Sequence, residues 1–171
     1  MTARGDFTDE EWFRVRSAPW QVAMGVIEVD PSGTFAAGRE LRAVEDEFRR
    51  AQEDAAATDL VRLVARAVAD EGDPDTGTAP ADDADTTAEA LPDRVLEAMG
   101  TLGELLEAKV EAADAAAYRA WLVGVASIAA AAAKEGVAGL TGPTVSAAEQ
   151  AYLDRLRDVL APPGAWAPSS A

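Results

Sequence analysis

The stretch that decides the fold is EAADAAAYRAWLVGVASIAAAAAKE, residues 111–135. Its larger apolar residues return every three or four positions, which is the period of one face of an α-helix; they are Tyr118, Trp121, Leu122, Val125 and Ile128. Alanine, the strongest helix former, fills most of the remaining positions. Gly136 follows in the place of a helix C-cap. The stretch predicts a long helix buried at the centre of a helical bundle.

The same stretch is short for a membrane span. Its least polar run, from Ala120 to Ala133, is about 14 residues, whereas a bilayer needs around 20. Arg119 and Lys134 bracket that run with positive charge. We therefore predict no membrane insertion.

Helix signals surround this central segment on both sides. Thr8 with Glu11, and Ser146 with Glu149, have the spacing of capping boxes, which open helices. Apolar periodicity predicts further helices in five places: from Thr8 toward Asp30 with a bend near Pro19, from Thr34 to about Asp54, from Thr58 to about Asp70, from Leu91 to about Lys109, and from Ser146 to Pro162. The fold class expected is all-α, a bundle of five to six helices in a single domain over residues 1–161.

Two segments have a composition that does not favour folding. Residues 71–87 contain Asp, Gly, Pro, Thr and Ala but no large apolar residue, which predicts a flexible acidic linker. Residues 162–171 are predicted to be a disordered tail. An EF-hand loop that began at Asp73 would have Gly77 at its fifth position and Ala84 in place of the final Glu. The linker therefore does not match a calcium loop.

Composition excludes several classes of chemistry. The chain has no histidine and no cysteine, so disulfides, zinc sites and thiol nucleophiles are ruled out. A net charge of −16 repels phosphate backbones and anionic headgroups, which argues against nucleic acid as a partner. Acidic residues near the start occupy the place where a signal peptide needs positive charge, so we expect a cytoplasmic protein. No catalytic motif is present, which favours a protein that is not an enzyme.

Two segments share a plan. Each has an apolar helix that carries a Trp, an acidic residue at the end of that helix, a turn with Gly, and then an amphipathic helix with an early Glu. The first segment runs from Trp20 to Phe48 and the second from Trp121 to Leu160. The opening Phe7-Thr8-Asp9-Glu10-Glu11-Trp12 adds a further signature.

This plan resembles the TerB-like family, the helical tellurite-resistance fold, and the uncharacterised bacterial proteins related to it. The resemblance implies two related helix-turn-helix halves and a site at which acidic residues of the turns bind a divalent metal. By position the metal ligands would be Asp30, Glu40, Glu135 and Glu149. The chain departs from the family pattern at Pro31-Ser32, where Gly is expected, and in the longer turn before Ser146.

Three functions follow as hypotheses. The first is a non-enzymatic interaction or scaffold protein, related to stress through the family resemblance, with an unknown protein partner and an unknown oligomeric state. The second is a TerB-like protein that binds a divalent cation through those four acids and needs no other cofactor. The third is an enzyme that uses carboxylates in a pocket between helices.

Overall fold

Six α-helices make up the fold in the computed structural model, which describes residues 2–30, 34–71, 90–132 and 145–162. A short 3-10 turn, Arg4–Asp6, precedes them, and no strand occurs within these ranges. The helices are α1 (Asp9–Val29), α2 (Thr34–Glu53), α3 (Asp59–Glu71), α4 (Ala90–Lys109), α5 (Ala112–Ala132) and α6 (Ala147–Leu160). The all-α prediction is confirmed. The predicted linker 71–87 lies outside the described residues apart from Glu71, which belongs to α3, and so does the predicted tail apart from Pro162.

Both predicted capping boxes are present. The Glu11 amide donates to the Thr8 hydroxyl at 3.2 Å, and the Glu11 carboxylate accepts from the Thr8 amide at 2.7 Å. Ser146 and Glu149 form the same reciprocal pair, with distances of 2.6 and 3.2 Å. Each box satisfies two amides that have no partner within the helix, and so fixes where α1 and α6 begin.

Helix α1 continues through Pro19, although proline usually breaks a helix. The proline ring has no N–H, so the carbonyl of Val15, four residues earlier, loses its helical partner. The Tyr118 hydroxyl of α5 donates to that carbonyl at 2.5 Å, and Tyr118 itself is fully buried. The neighbouring helix thus supplies the hydrogen bond that the proline removes.

The core forms around α1 and α5. α5 packs against all five other helices, and α1 does the same. Aromatic rings of α1, α2 and α5 meet at the centre: Trp20 lies edge-on to Phe48 with ring centroids 5.1 Å apart, and Phe48 is 5.9 Å from Trp121. The prediction that the second half of α1 is central is confirmed, since Val22, Ala23 and Val26 are buried.

One close approach joins α1 to α6. A methyl group built at Gly25 would lie 2.1 Å from the Tyr152 hydroxyl oxygen, which no side chain larger than hydrogen allows. Burial raises the pKa of the Tyr152 phenol well above its ordinary value, so the phenol is neutral at physiological pH. Gly25 is therefore the residue that permits α6 to sit this close to α1.

Candidate functional site

Three of the four acids predicted as metal ligands lie in the described residues. Asp30 follows the last residue of α1, Glu40 lies in the first half of α2, and Glu149 lies in the first turn of α6. Glu40 and Glu149 are buried, with 3% and 2% of their surface exposed, while Asp30 is half-buried. Glu135 falls outside the described residues. Burial of two carboxylates is unusual, because charged side chains are rarely enclosed unless they are paired.

The charges of Glu149 and Asp30 act on Glu40. Burial raises the pKa of the Glu40 carboxyl, and the negative charges of Glu149 and Asp30 raise it further. The positive charge of Arg39 opposes them without cancelling their effect. Acids from both sides of the α1–α2 turn and from α6 thus contribute to the negative potential at Glu40.

Glu149 uses one carboxylate oxygen for structure. Its Oε2 accepts the Ser146 amide in the capping box. A carboxylate has two oxygens and about four lone-pair sites, so a capping role leaves acceptor capacity on Glu149. Glu149 could therefore cap α6 and bind a metal ion at the same time.

The acids do not converge as a finished metal cage. Within the ranges that the structure describes, no group of three acidic side chains has an arrangement that would hold a metal ion. The predicted ligand set therefore stays a prediction.

A second feature is the outward face of α5, which we define as the half of this helix that faces away from the bundle. Four of its residues are exposed, namely Ala112, Ala113, Ala116 and Ala120. The others are partly exposed: Ala117, Trp121, Val123, Gly124, Ser127, Ile128 and Ala131. None of these residues carries a charge, although 27% of the whole chain is charged. The outward face is therefore an uncharged strip along the full helix.

The two charged residues of α5 point inward. Asp114 is 7% exposed and accepts hydrogen bonds from the Thr2 hydroxyl and the Leu60 amide. Arg119 is 6% exposed and donates to the Gly103 carbonyl at 2.9 Å and to the Glu107 carboxylate at 2.8 Å. The core-facing side of α5 is apolar as usual, but in an ordinary surface helix the charged residues would face water.

The apolar face predicted for α5 is confirmed at Tyr118, Leu122 and Val125, which are buried, while the rest of the helix is more exposed than expected. A helix that is apolar all round is expected to be enclosed, and the structure encloses one half of it. By length and composition alone, Ala112–Ala132 is apolar enough to cross a membrane, but half of that segment is buried inside the bundle. The core helix of a soluble protein passes the same test. Trp121, predicted to be core, is only partly buried.

Three clefts lie elsewhere among the described residues. A cleft of about 260 Å³ lies between α1 and α4, beside the exposed ring of Phe13, and no acid lines it. Two further clefts of about 220 Å³ are lined partly by α2; Glu45 lines one of them, Glu47 and Asp54 line the other, and neither includes Glu40 or Glu149. The enzyme hypothesis stays a prediction.

Comparisons with known proteins give no relative. No family model, no curated protein and no solved structure matches the chain. The TerB-like resemblance therefore rests on the residues that suggested it.

Proposed function

We propose that this chain is a non-enzymatic helical interaction protein, a scaffold that engages its partner through the outward face of α5. The observation that carries the proposal is the orientation of that helix. Asp114 and Arg119, its only charged residues, are buried, while the half that faces away from the bundle carries none. A cytoplasmic place of action and a role in stress response belong to the same proposal.

Isolated apolar residues are common on protein surfaces, whereas a contiguous apolar strip is typical of an interaction surface in a soluble protein. In a chain with net charge −16, a strip free of charge is also where another surface can approach with the least repulsion. Trp121, on the margin of the strip, packs against Phe48 and donates its indole N–H to Glu47, so the strip itself consists mainly of small residues.

The test replaces one residue of the strip and measures the size of native complexes. Ala120→Arg introduces a charge on the outward face, and Ala151→Arg makes the same change at an exposed position of α6. Both variants are expressed in the source cells, and the lysates are separated by size under native conditions. We expect the wild type and Ala151→Arg to migrate well above 17.8 kDa and Ala120→Arg to migrate lower. Equal migration of all three would contradict the interaction role.

A second candidate function is the binding of a divalent cation, which the neighbouring acids Asp30, Glu40 and Glu149 support. Two buried carboxylates that repel each other are destabilising when both are ionised, and a bound cation would relieve that repulsion. Ca²⁺, Mg²⁺ and Mn²⁺ are the cations that prefer oxygen ligands. Glu135 completes the proposed ligand set.

Calorimetric titration separates this candidate from a purely structural role for the acids. The wild type is titrated with Ca²⁺, Mg²⁺ and Mn²⁺ beside Glu40→Gln and a matched control, Glu53→Gln, which changes an exposed acid of the same helix. We expect saturable binding at millimolar metal or below for the wild type and the control, and its loss in Glu40→Gln. Absence of saturable binding with all three metals would rule out the cation function.

A further inference from the structure

We propose that residues 2–7 are a strap whose docking on Asp114 keeps the start of α3 anchored to α5. Release of the strap would loosen α3 and leave the rest of the bundle folded. The device makes α3 sensitive to any event that draws residues 2–7 away from the bundle, such as their capture by another molecule. This inference does not depend on the interaction role proposed above, because it concerns contacts within one chain.

The strap crosses the junction between α4 and α5. Lys109, the last residue of α4, donates to the Asp6 carbonyl at 3.4 Å. Phe7 is 5% exposed and belongs to the core, which fixes the end of the strap next to α1. At the other end Thr2 is 9% exposed, and its hydroxyl donates to Oδ2 of Asp114 in the first turn of α5. Most of the residues between these ends are exposed, so the strap is held mainly at its two ends.

Asp114 also caps α3 from a neighbouring helix. The Leu60 amide, on the second residue of α3, donates to Oδ1 of Asp114 at 3.1 Å. The first four amides of a helix have no partner within it, and a Thr just before the helix often supplies an acceptor. Thr58 holds that position, since its carbonyl accepts the Arg62 amide. The Thr58 hydroxyl lies close to Asp114 but makes no hydrogen bond to a described residue, so α3 depends on Asp114 for this cap.

One carboxylate thus links the strap to α3. Its two oxygens take separate donors, Thr2 on Oδ2 and Leu60 on Oδ1. Hydrogen bonds to an ionised acceptor are stronger than those between neutral groups, and a buried charge that loses a donor is destabilised. If Thr2 leaves, Asp114, which is only 7% exposed, regains hydrogen bonds by turning toward the space that Thr2 vacates, where water can enter. That movement draws Oδ1 away from the Leu60 amide and weakens the cap.

Among the described helices, α3 is the one in which a lost cap matters most. It has 13 residues, fewer than any of the other five. Helices shorter than about 12 to 15 residues are marginal on their own and depend on caps and packing. Such a helix can open locally while the rest of the protein stays folded. α6 provides an internal reference, because it packs on α1, α4 and α5 and takes no part in the hydrogen bonds of Asp114.

Amide hydrogen exchange of the isotope-labelled full-length chain at pH 7 tests the strap. Thr2→Val keeps the shape of the side chain and removes the donor. We expect amides from Leu60 to Val68 to exchange about tenfold faster than in the wild type, while amides of α6 change by less than about twofold. Thr101→Val is the matched control, because the exposed Thr101 hydroxyl bonds only to the Glu97 carbonyl of its own helix. It should leave exchange in α3 unchanged.

Combining two changes shows whether Asp114 carries the effect. Asp114→Ala removes the acceptor of both donors, so α3 should exchange faster and Thr2→Val should add less than about twofold in that background. Three results would overturn the strap: α3 exchange that Thr2→Val leaves unchanged, equal acceleration in α3 and α6, and a full effect of Thr2→Val in the Asp114→Ala chain. If Asp114→Ala does not fold, as judged by circular dichroism, the comparison of α3 with α6 in Thr2→Val decides alone.

Discussion

At the scale of single residues, the buried acids Glu40 and Asp114 behave in opposite ways. Burial and the nearby negative charges of Glu149 and Asp30 raise the pKa of Glu40. Burial would also raise the pKa of Asp114, but hydrogen bonds from Thr2 and from the Leu60 amide, with the Thr58 hydroxyl close by, outweigh burial and lower it. Hydrogen bonds thus stabilise the charged form of Asp114, whereas burial and nearby negative charges destabilise the charged form of Glu40.

Glu40 should make the protein less stable as pH rises. Because the pKa of Glu40 is raised from its ordinary value of 4.5 on folding, the folded state holds the proton more tightly than the unfolded state. That contribution is complete below pH 4.5 and is lost as pH rises through the pKa of the folded chain. In metal-free buffer we expect Glu40→Gln to have a higher thermal midpoint than the wild type at pH 7, and the difference to vanish below about pH 4. A lower midpoint at pH 7 would show that the charged carboxylate stabilises the fold.

Asp114 should act with the opposite sign. Its stabilisation is present above its ordinary pKa of 3.8 and is lost as pH falls through the lower pKa of the folded chain. Asp114→Asn removes the charge from hydrogen bonds that tie the first residues and the start of α3 to α5. We expect a loss of about 2 to 3 kcal/mol in urea unfolding at pH 7. Asp93→Asn, which breaks an exposed ion pair with Arg155, should cost less than about 1 kcal/mol; equal losses would mean that Asp114 is not a buried anchor.

At the scale of helices, α1 and α5 depend on each other through one hydrogen bond. Pro19 removes the partner of the Val15 carbonyl, and the Tyr118 hydroxyl replaces it. The sequence predicts a bend near Pro19, and the structure adds the reason why α1 continues past it. No rule of spacing could have linked these residues, because they are far apart in the chain and their contact depends on how the helices pack.

A double mutant tests this compensation. Tyr118→Phe should cost about 1 to 3 kcal/mol, because it leaves the Val15 carbonyl buried without a donor. In a Pro19→Ala background the cost should fall well below that, since the new amide at position 19 can reach the same carbonyl. Tyr152→Phe is the control, because the Tyr152 hydroxyl has no hydrogen-bond partner in the structure as described. Equal costs of Tyr118→Phe in both backgrounds would contradict the account.

Where a helix starts can be predicted from the sequence, but how a helix is oriented in the bundle cannot be predicted as fully. The capping boxes at Thr8 and Ser146 locate two helix starts directly, because each box has a fixed spacing. The orientation of α5 is different. The period of Tyr118, Leu122 and Val125 indicates the face that the structure buries, but the usual rule would have placed Asp114 and Arg119 outside. Only packing against five neighbouring helices decides that question.

At the scale of the whole molecule, two features suggest a function: the acids that act on Glu40 and the outward face of α5. The acids Asp30, Glu40, Glu135 and Glu149 were predicted as a set from the family resemblance, and in the structure the charges of Glu149 and Asp30 raise the pKa of Glu40. The exposed half of α5 was not predicted to be an interaction surface, because the sequence indicated a helix buried in the bundle. We propose that this half of α5 contacts the partner protein.

Thiol accessibility measures that claim most directly, because the chain has no cysteine of its own. Ala120→Cys and Ala151→Cys each introduce one thiol at an exposed helical position, and its reaction with a maleimide is compared between the purified chain and a native lysate of the source cells. We expect labelling at position 120 to be about tenfold slower in the lysate than in the purified chain, while labelling at position 151 is equally fast in both. Labelling at position 120 that is equally fast in both samples would contradict the interaction role.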